Sequence, residues 1–254
     1  MVNKSFSLIL GLIMQTQLTA LQDDALIIAH RGASQGTAEN SLKAFVSTTQ
    51  NGTCAVECDI RRCKSGELVL HHDELLSRVF KIAKQVEDLT LTELRAQAPQ
   101  IATLADLFVA MPIGITIVLD LKETGIAQDL AAMITFEIQS HGRTLEQFYT
   151  TGWHHHEQVE LKKILPGLRI VPAVVGTTYN LANYLRDMGA YGCCLVNLPG
   201  GTIIDQLVQD VITKGFKIWV YQPQGMPTCL IDKLPIVGLM TDTPINFLRK
   251  DKTS

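Results

Sequence analysis

Eight short apolar runs recur along this chain, and they constrain its fold more than any other feature. They span residues 26–30, 54–60, 115–120, 148–151, 168–171, 192–196, 216–220 and 236–240. Runs of this length are typical of strands that are buried on both faces, as in a parallel sheet. Helical patterns between the runs predict an α/β fold in a single domain, a (β/α)8 or TIM barrel, which commonly needs about 250 residues. The 254 residues of the chain suffice for that fold.

Composition limits the classes of partner. The chain has 22 basic and 25 acidic residues, which give a formal net charge of −3. Because it contains no block of basic residues, nucleic acid is not expected to be a partner. No internal repeat or linker-like segment interrupts residues 25–250, so we predict one catalytic barrel there; no oligomeric state is predicted.

The first twenty residues have the pattern of an export signal. Lys4 precedes an apolar run over residues 6–14, polar Gln15 and Gln17 follow, and cleavage is possible after Ala20. The run is short for a membrane span. We therefore predict a signal peptide or an N-terminal anchor over residues 1–20 and a secreted or periplasmic protein, with no stable membrane span in the mature chain. A membrane-anchored protein and a cytoplasmic protein are the alternatives.

Two acidic residues alternate on the second run. The period of two in a strand places Glu57 and Asp59 on one face and Cys58 on the other. Two carboxylates that point into one space repel each other unless a cation or a proton lies between them. Because Mg²⁺ and Ca²⁺ prefer oxygen ligands, the pair predicts a divalent-cation site. Solvated acids on a half-exposed strand are the alternative.

Further polar residues lie where other runs end. His30 ends the first run and Arg31 follows it, His72 ends an extended segment, and Asp120 and Lys122 share one strand face. In a parallel barrel the C-terminal ends of the strands meet at one mouth, where catalytic groups gather. Asp120 can then complete a three-carboxylate metal site with the alternating pair. A buried aspartate that only pairs with Lys122 is the alternative.

Seven motifs, taken in order, resemble those of the glycerophosphodiester phosphodiesterase family. They are His30-Arg31-Gly32, Glu39-Asn40, Glu57-x-Asp59, His72-Asp73, Leu119-Asp120-Leu121-Lys122, Lys217-Ile218-Trp219-Val220 and Thr241-Asp242-Thr243-Pro244. They cover nearly the whole chain, and an ordered set is far more specific than a single motif.

The resemblance implies metal-dependent hydrolysis of small glycerophosphodiesters to sn-glycerol 3-phosphate and an alcohol, with Mg²⁺ or Ca²⁺ as the cofactor. It implies that His30 and His72 act as acid and base, without deciding which is which, and that Arg31 and Lys122 bind the phosphate. It further implies attack by the glycerol 2-hydroxyl on phosphorus, which forms a cyclic phosphate that water then opens. Trp219 is expected either as an apolar wall for the glycerol or as a core residue.

One motif departs from the family pattern, because Asp120 stands where glutamate is usual; the shorter side chain could bind a metal directly, bind it through water, or loosen the site. Glu39 and Asn40 could hold the His30 loop or simply begin a helix. His71 is predicted to be structural, and residues 154–156 are predicted to be a solvated helix start.

Two other functions stay open: a lysophospholipase D or sphingomyelinase D-like enzyme, which needs an apolar rim, and a non-catalytic phosphate-ester binder.

Overall fold

The computed structural model describes residues 21–33, 37–175, 179–196, 205–222 and 234–248. Its strands are β1 Leu21–Ala29, β2 Ala55–Arg62, β3 Leu68–Leu70, β4 Thr116–Leu121, β5 Phe148–Thr151, β6 Arg169–Ile170, β7 Ala173–Val175, β8 Gly192–Val196, β9 Lys217–Gln222 and β10 Ile236–Thr241. Its α-helices are α1 Leu42–Gln50, α2 Ser77–Phe80, α3 Leu91–Gln97, α4 Leu104–Ala110, α5 Ala127–His141, α6 His155–Ile164, α7 Leu181–Asp187 and α8 Asp205–Thr213. The predicted segment 1–20 lies outside the described residues. Among the helices described, none is long and apolar enough to cross a bilayer.

The strands form one curled parallel sheet with the order β6-β5-β4-β2-β1-β10-β9-β8-β7. Its two end strands are pieces of a single extended segment, since only Val171 and Pro172 separate them. The amide of Val171 donates to the Thr150 carbonyl at 2.8 Å, and the Pro172 carbonyl accepts from the Cys194 amide at 2.9 Å. This segment therefore pairs with β5 on one side and with β8 on the other, which closes the barrel. The prediction of eight parallel strands in one domain is confirmed.

Strand alternation divides the apolar residues between two layers. Inward-facing side chains fill the barrel, among them Ile28, Val118 and Trp219. Outward-facing side chains such as Cys58 and Leu119 pack beneath the helices. Burial of one large aliphatic side chain contributes about 1.5–3 kcal/mol, so both layers stabilise the closed sheet. The same alternation turns Glu57 and Asp59 toward the inside of the barrel.

A segment between β2 and α4 departs from the simple strand–helix alternation. Strand β3 pairs antiparallel with β2. The short helices α2 and α3 follow, and the segment has a small apolar core of its own that includes Leu76, Leu89 and Leu94. Because the amide of His71 donates to the Asp59 carbonyl at 3.1 Å, this insertion is fixed to the end of β2. It thereby brings His72 to the mouth of the barrel.

Candidate active site

Three carboxylates from two neighbouring strands converge at the C-terminal end of the barrel. Glu57 and Asp59 lie on β2, and Asp120 lies beside Asp59 on β4. One oxygen from each lies within 4.8 Å of the others. Glu57 and Asp59 are 0% exposed, which rules out the alternative that they are solvated. The three side chains therefore share one space, as the sequence predicts.

Two cations partly neutralise this cluster. The Lys122 Nζ lies 3.0 Å from Asp59 Oδ1 and 2.5 Å from Asp120 Oδ2. The Arg31 Nε lies 3.1 Å from Asp59 Oδ2. Burial favours the protonated form of Asp59, but Lys122 and Arg31 outweigh it and hold the pKa of this carboxyl below its usual range. Burial and the charges of Asp59 and Asp120 raise the pKa of Glu57 well above its usual value.

The donor set fits a hard divalent cation. Glu57 Oε1 and Asp120 Oδ1 are buried oxygens without a hydrogen-bond partner among the described residues. Lys122 and Arg31 supply two positive charges to three carboxylates, so the fully ionised cluster keeps an excess negative charge that a proton or a cation must balance. Mg²⁺ and Ca²⁺ accept such oxygens as ligands. Asp120 pairs with Lys122 through Oδ2, while its Oδ1 has no hydrogen-bond partner among the described residues.

His30 lies directly beside the carboxylates, at the end of β1. Its Nδ1 lies 2.6 Å from Asp242 Oδ1 and 3.3 Å from the Tyr221 hydroxyl. Its Nε2 lies 4.0 Å from Glu57 Oε2. The next residue, Arg31, has a left-handed backbone with φ of 50° and donates its amide to Glu57 Oε2 at 2.8 Å. One imidazole nitrogen is thus fixed and the other faces the cluster.

The Glu39-Asn40 motif supports the same loop. The Asn40 Nδ2 donates to Asp59 Oδ2 at 2.6 Å, and the Asp59 amide donates to Asn40 Oδ1 at 3.2 Å. The Arg31 NH1 donates to Glu39 Oε1 at 3.1 Å. Ser41, the next residue, caps α1 by accepting from the Ala44 amide. The motif therefore orients site residues in addition to starting a helix.

The two neighbouring histidines of the insertion have different surroundings. His72 is partly exposed, and its Nδ1 lies 2.6 Å from Asp73 Oδ1. Burial lowers the pKa of the His72 imidazole, and the nearby Asp59 charge opposes that shift. His71 is 2% exposed, and its Nε2 lies 3.2 Å from the Leu75 carbonyl. This environment agrees with the structural role predicted for His71.

The position of Trp219 requires a correction. Its ring is 1% exposed and packs in the barrel core, with its ring centroid 5.0 Å from that of Tyr149. It follows that Trp219 does not line the mouth. Tyr221, two residues closer to the C-terminal end of β9, takes that place, with its ring centroid 4.5 Å from that of His30. The period of two predicts the shared face but not the depth of each ring.

The contacts of two other residues of the site are visible only in the fold. Asp242 lies within a recognised motif, yet only the fold shows its contact with His30. No sequence motif includes Arg78, although its side chain donates hydrogen bonds to both Asp73 and Glu39. In the 154–156 segment His156 is exposed, as predicted, whereas His155 contacts the Tyr184 hydroxyl and the Ala173 carbonyl.

Space for a ligand lies next to Lys122. A cavity of about 360 Å³ separates the insertion from the loops that follow β4 and β5. Its walls are polar and include Arg61, Glu74, Glu87, Lys122, Glu123 and His154. Lys122, which contacts Asp59 and Asp120, thus forms part of the wall of this polar cavity.

Comparison with known proteins gives one consistent result. The sequence model of the glycerophosphoryl diester phosphodiesterase family matches residues 30–246. Glycerophosphodiester phosphodiesterases of Caldanaerobacter subterraneus subsp. tengcongensis and Bacillus altitudinis are 27% and 24% identical. The first alignment covers 89% of this chain and 98% of the relative, and the second covers 86% and 94%.

Solved structures show the same fold. A glycerophosphodiester phosphodiesterase of Thermotoga maritima has a TM-score of 0.70 at 22% identity, over 89% of this chain and 98% of that one. An Oleispira antarctica phosphodiesterase, solved with its product sn-glycerol-3-phosphate, has a TM-score of 0.73 at 22% identity, over 87% and 94% of the two chains. Because the family match spans most of its length, the chain belongs to the glycerophosphoryl diester phosphodiesterase family.

Proposed function

We propose that this phosphoric diester hydrolase releases sn-glycerol 3-phosphate and an alcohol from glycerophosphodiesters, and that a divalent cation held by Glu57, Asp59 and Asp120 is required. The observation that carries the proposal is the buried carboxylate cluster, with two oxygens left without partners, beside His30. The product complex of the Oleispira antarctica relative supports the same small-molecule substrate class.

Positive charge is the first requirement of the reaction, because negative charge grows on the phosphate oxygens during attack. A cation bound to the three carboxylates would act as a Lewis acid toward a phosphate oxygen. Lys122 is held between Asp59 and Asp120, and Arg31 is held by Glu39 and Asp59. Both side chains therefore keep fixed positive charge at the place where the diester binds.

Proton transfer is the second requirement, and two imidazoles supply it. In our proposal one of His30 and His72 takes the proton of the glycerol 2-hydroxyl, whose oxygen forms a new bond to phosphorus. The other gives a proton to the alkoxide as its bond to phosphorus breaks, and water then opens the cyclic phosphate. An internal nucleophile has the advantage of proximity. Each histidine has Nδ1 next to a carboxylate, which leaves Nε2 for the transfer.

A second candidate, hydrolysis of lysolipid diesters, is favoured by one observation. Large apolar side chains are exposed near the barrel mouth: Trp153 is 51% exposed, Val175 47% and Tyr179 89%. Trp153 directly follows Gly152, which packs against Asp120. An acyl chain could lie on these side chains while its phosphate reaches the carboxylates.

A product-release assay tests both candidates. Glycerol 3-phosphate release is measured from choline, ethanolamine, glycerol and inositol diesters after exhaustive chelation, and again after Mg²⁺ or Ca²⁺ is added. We expect release only with added metal. Full turnover after chelation contradicts the metal requirement, and binding without turnover under all conditions indicates a non-catalytic phosphate-ester binder. Lysolipids are assayed by release of the alcohol, because their other product keeps the acyl chain and is lysophosphatidic acid. Faster alcohol release from a lysolipid than from the matching glycerophosphodiester, lost in Trp153→Ala, favours the second candidate.

We also propose export of the chain, either to the periplasm or out of the cell. The support is the order of Lys4, the apolar run over residues 6–14 and the polar residues that follow. Amino-terminal sequencing of the protein from its native cells tests this proposal, since a mature chain that begins near residue 21 is expected. A full-length chain in the membrane fraction indicates an anchor, and one in the cytoplasm contradicts export.

A further inference from the structure

We propose that Arg78 is a positioning residue, which ties the loop after His30 to the loop that carries His72. Arg78 lies on the short helix α2 of the insertion. Its NH1 and NH2 groups donate to the two oxygens of Glu39, at 2.8 and 2.5 Å, and its Nε donates to Asp73 Oδ2 at 2.6 Å. One guanidinium thus joins carboxylates from the two segments that carry the proposed proton-transfer groups.

The Asp73 branch acts on His72. The two carboxylate oxygens of Asp73 have different partners. Oδ2 accepts from Arg78, and Oδ1 lies 2.6 Å from His72 Nδ1. Although burial opposes it, the bonds from Arg78 and His72 lower the pKa of Asp73 to about 2. An ionised carboxylate only accepts hydrogen bonds, so the neutral imidazole carries its proton on Nδ1. The Nε2 of His72 is then a hydrogen-bond acceptor, and the Arg78–Asp73 pair fixes the orientation of the imidazole ring that carries it.

The Glu39 branch acts on Arg31. Glu39 Oε1 accepts from both Arg78 and the Arg31 NH1. Arg31 in turn lies 3.1 Å from Asp59, one of the three clustered carboxylates. Arg78 therefore helps to position both Arg31 and His72, through Glu39 and Asp73, without contacting either of them directly.

Arg78 differs from an ordinary surface ion pair. Exposed ion pairs contribute little to stability, and the Arg78 side chain is 48% exposed. The insertion keeps its own apolar core, which does not include Arg78. Loss of the guanidinium should therefore change the orientation of the two loops much more than it changes the stability of the fold.

The chain offers a matched control in Arg95 of the same insertion. Its NH2 donates to Asp106 Oδ2 at 2.6 Å, and its side chain is 46% exposed. This pair resembles the Arg78 pairs in length and exposure, but neither of its residues contacts a residue of the site. Arg95→Ala thus reports the cost of losing a surface ion pair alone.

The experiment compares Arg78→Ala, Arg78→Lys and Arg95→Ala in the full chain with Mg²⁺ present. Nitrogen-15 shifts of the histidine rings, assigned with His72→Ala, report the His72 tautomer without substrate. We expect the wild type and Arg95→Ala to have the proton on Nδ1, and Arg78→Ala to lose that preference. We also expect kcat to fall about 10–100-fold in Arg78→Ala, with KM much less changed. Arg78→Lys should recover only part of kcat, because an ammonium lacks the planar fork.

Two results would overturn the proposal: an unchanged His72 tautomer and kcat in Arg78→Ala, or the same losses in Arg95→Ala. The inference rests on the proposed function only for its kinetic part. If the wild type proves inactive while Arg78→Ala still changes the tautomer, the proposed function fails and the positioning role stands.

Discussion

Replacement of Glu57 by glutamine should affect the metal-free and metal-bound protein in opposite directions. Three carboxylate oxygens lie within 4.8 Å of one another, so each ionised pair repels by about 3.5 kcal/mol at an effective dielectric constant of about 20. Lys122 and Arg31 offset much of that repulsion. Glu57→Gln keeps an oxygen for the Arg31 amide and removes one charge, so we expect a net gain of about 1–2 kcal/mol without metal. That corresponds to a rise in Tm of roughly 2–8 °C.

Metal reverses the order of the two proteins. A ligand at a hundred times its Kd stabilises a folded protein by about 2.7 kcal/mol, or roughly 5–11 °C for a chain of this size. The wild type should show this gain with Mg²⁺ or Ca²⁺. The variant, with one anionic ligand fewer, should lose most of it. The assay is thermal unfolding in chelator and over a metal titration.

The pH dependence of the metal-free protein gives an independent reading. The pKa of Glu57 is raised in the folded state by burial and by the neighbouring acids. The folded state therefore binds this proton more tightly than the unfolded state, so stability falls as pH rises from about 4.5 through the folded pKa. Glu57→Gln should reduce this slope and leave the part that comes from Asp120, whose pKa is also raised by burial.

Glu137→Gln is the matched control. Glu137 is 5% exposed but pairs with Arg143, with its Oε2 3.3 Å from Nε. Loss of that charge leaves a buried cation without its partner, so the control should be destabilised equally with and without metal. Two results would contradict the prediction: a lower Tm of Glu57→Gln in chelator, as in the control, or no rise in the Tm of the wild type on addition of metal.

Other predictions concern the remaining groups of the site. His30→Ala and His72→Ala should each lower kcat by about 10²–10⁴-fold, as measured by glycerol 3-phosphate release. His71→Ala should change kcat little. Near-normal rates in His72→Ala mean that another group transfers the proton. Asp120→Glu should keep or raise metal affinity in calorimetric titration, whereas unfolding would favour a structural role for Asp120. Gly152→Ala should weaken metal binding in the same titration, since its Cβ would lie 2.1 Å from Asp120 Oδ1; unchanged affinity contradicts this. A 2-deoxyglycerol analogue of glycerophosphocholine should inhibit with little turnover, and turnover comparable to that of glycerophosphocholine points to direct attack by water.

Local pattern was enough to predict much of this protein. Each strand is a short apolar run, and a period of two fixes which side chains share a face, so Glu57 and Asp59 could be paired before the fold was known. The parallel barrel then brings strand ends together, which placed His30 and Asp120 at the same mouth. Sequence is enough for these features because they depend on neighbours within one strand and on one general property of the fold.

Tertiary structure alone decided contacts between distant segments and the depth of each side chain. The sequence did not show that Arg78 bonds both Glu39 and Asp73, since no periodic pattern links a short helix to two loops. It also did not separate Trp219, buried in the core, from Tyr221 beside His30, because alternation specifies a face but not a height within the barrel. Register and closure set that height, and both depend on how all the strands pair at once.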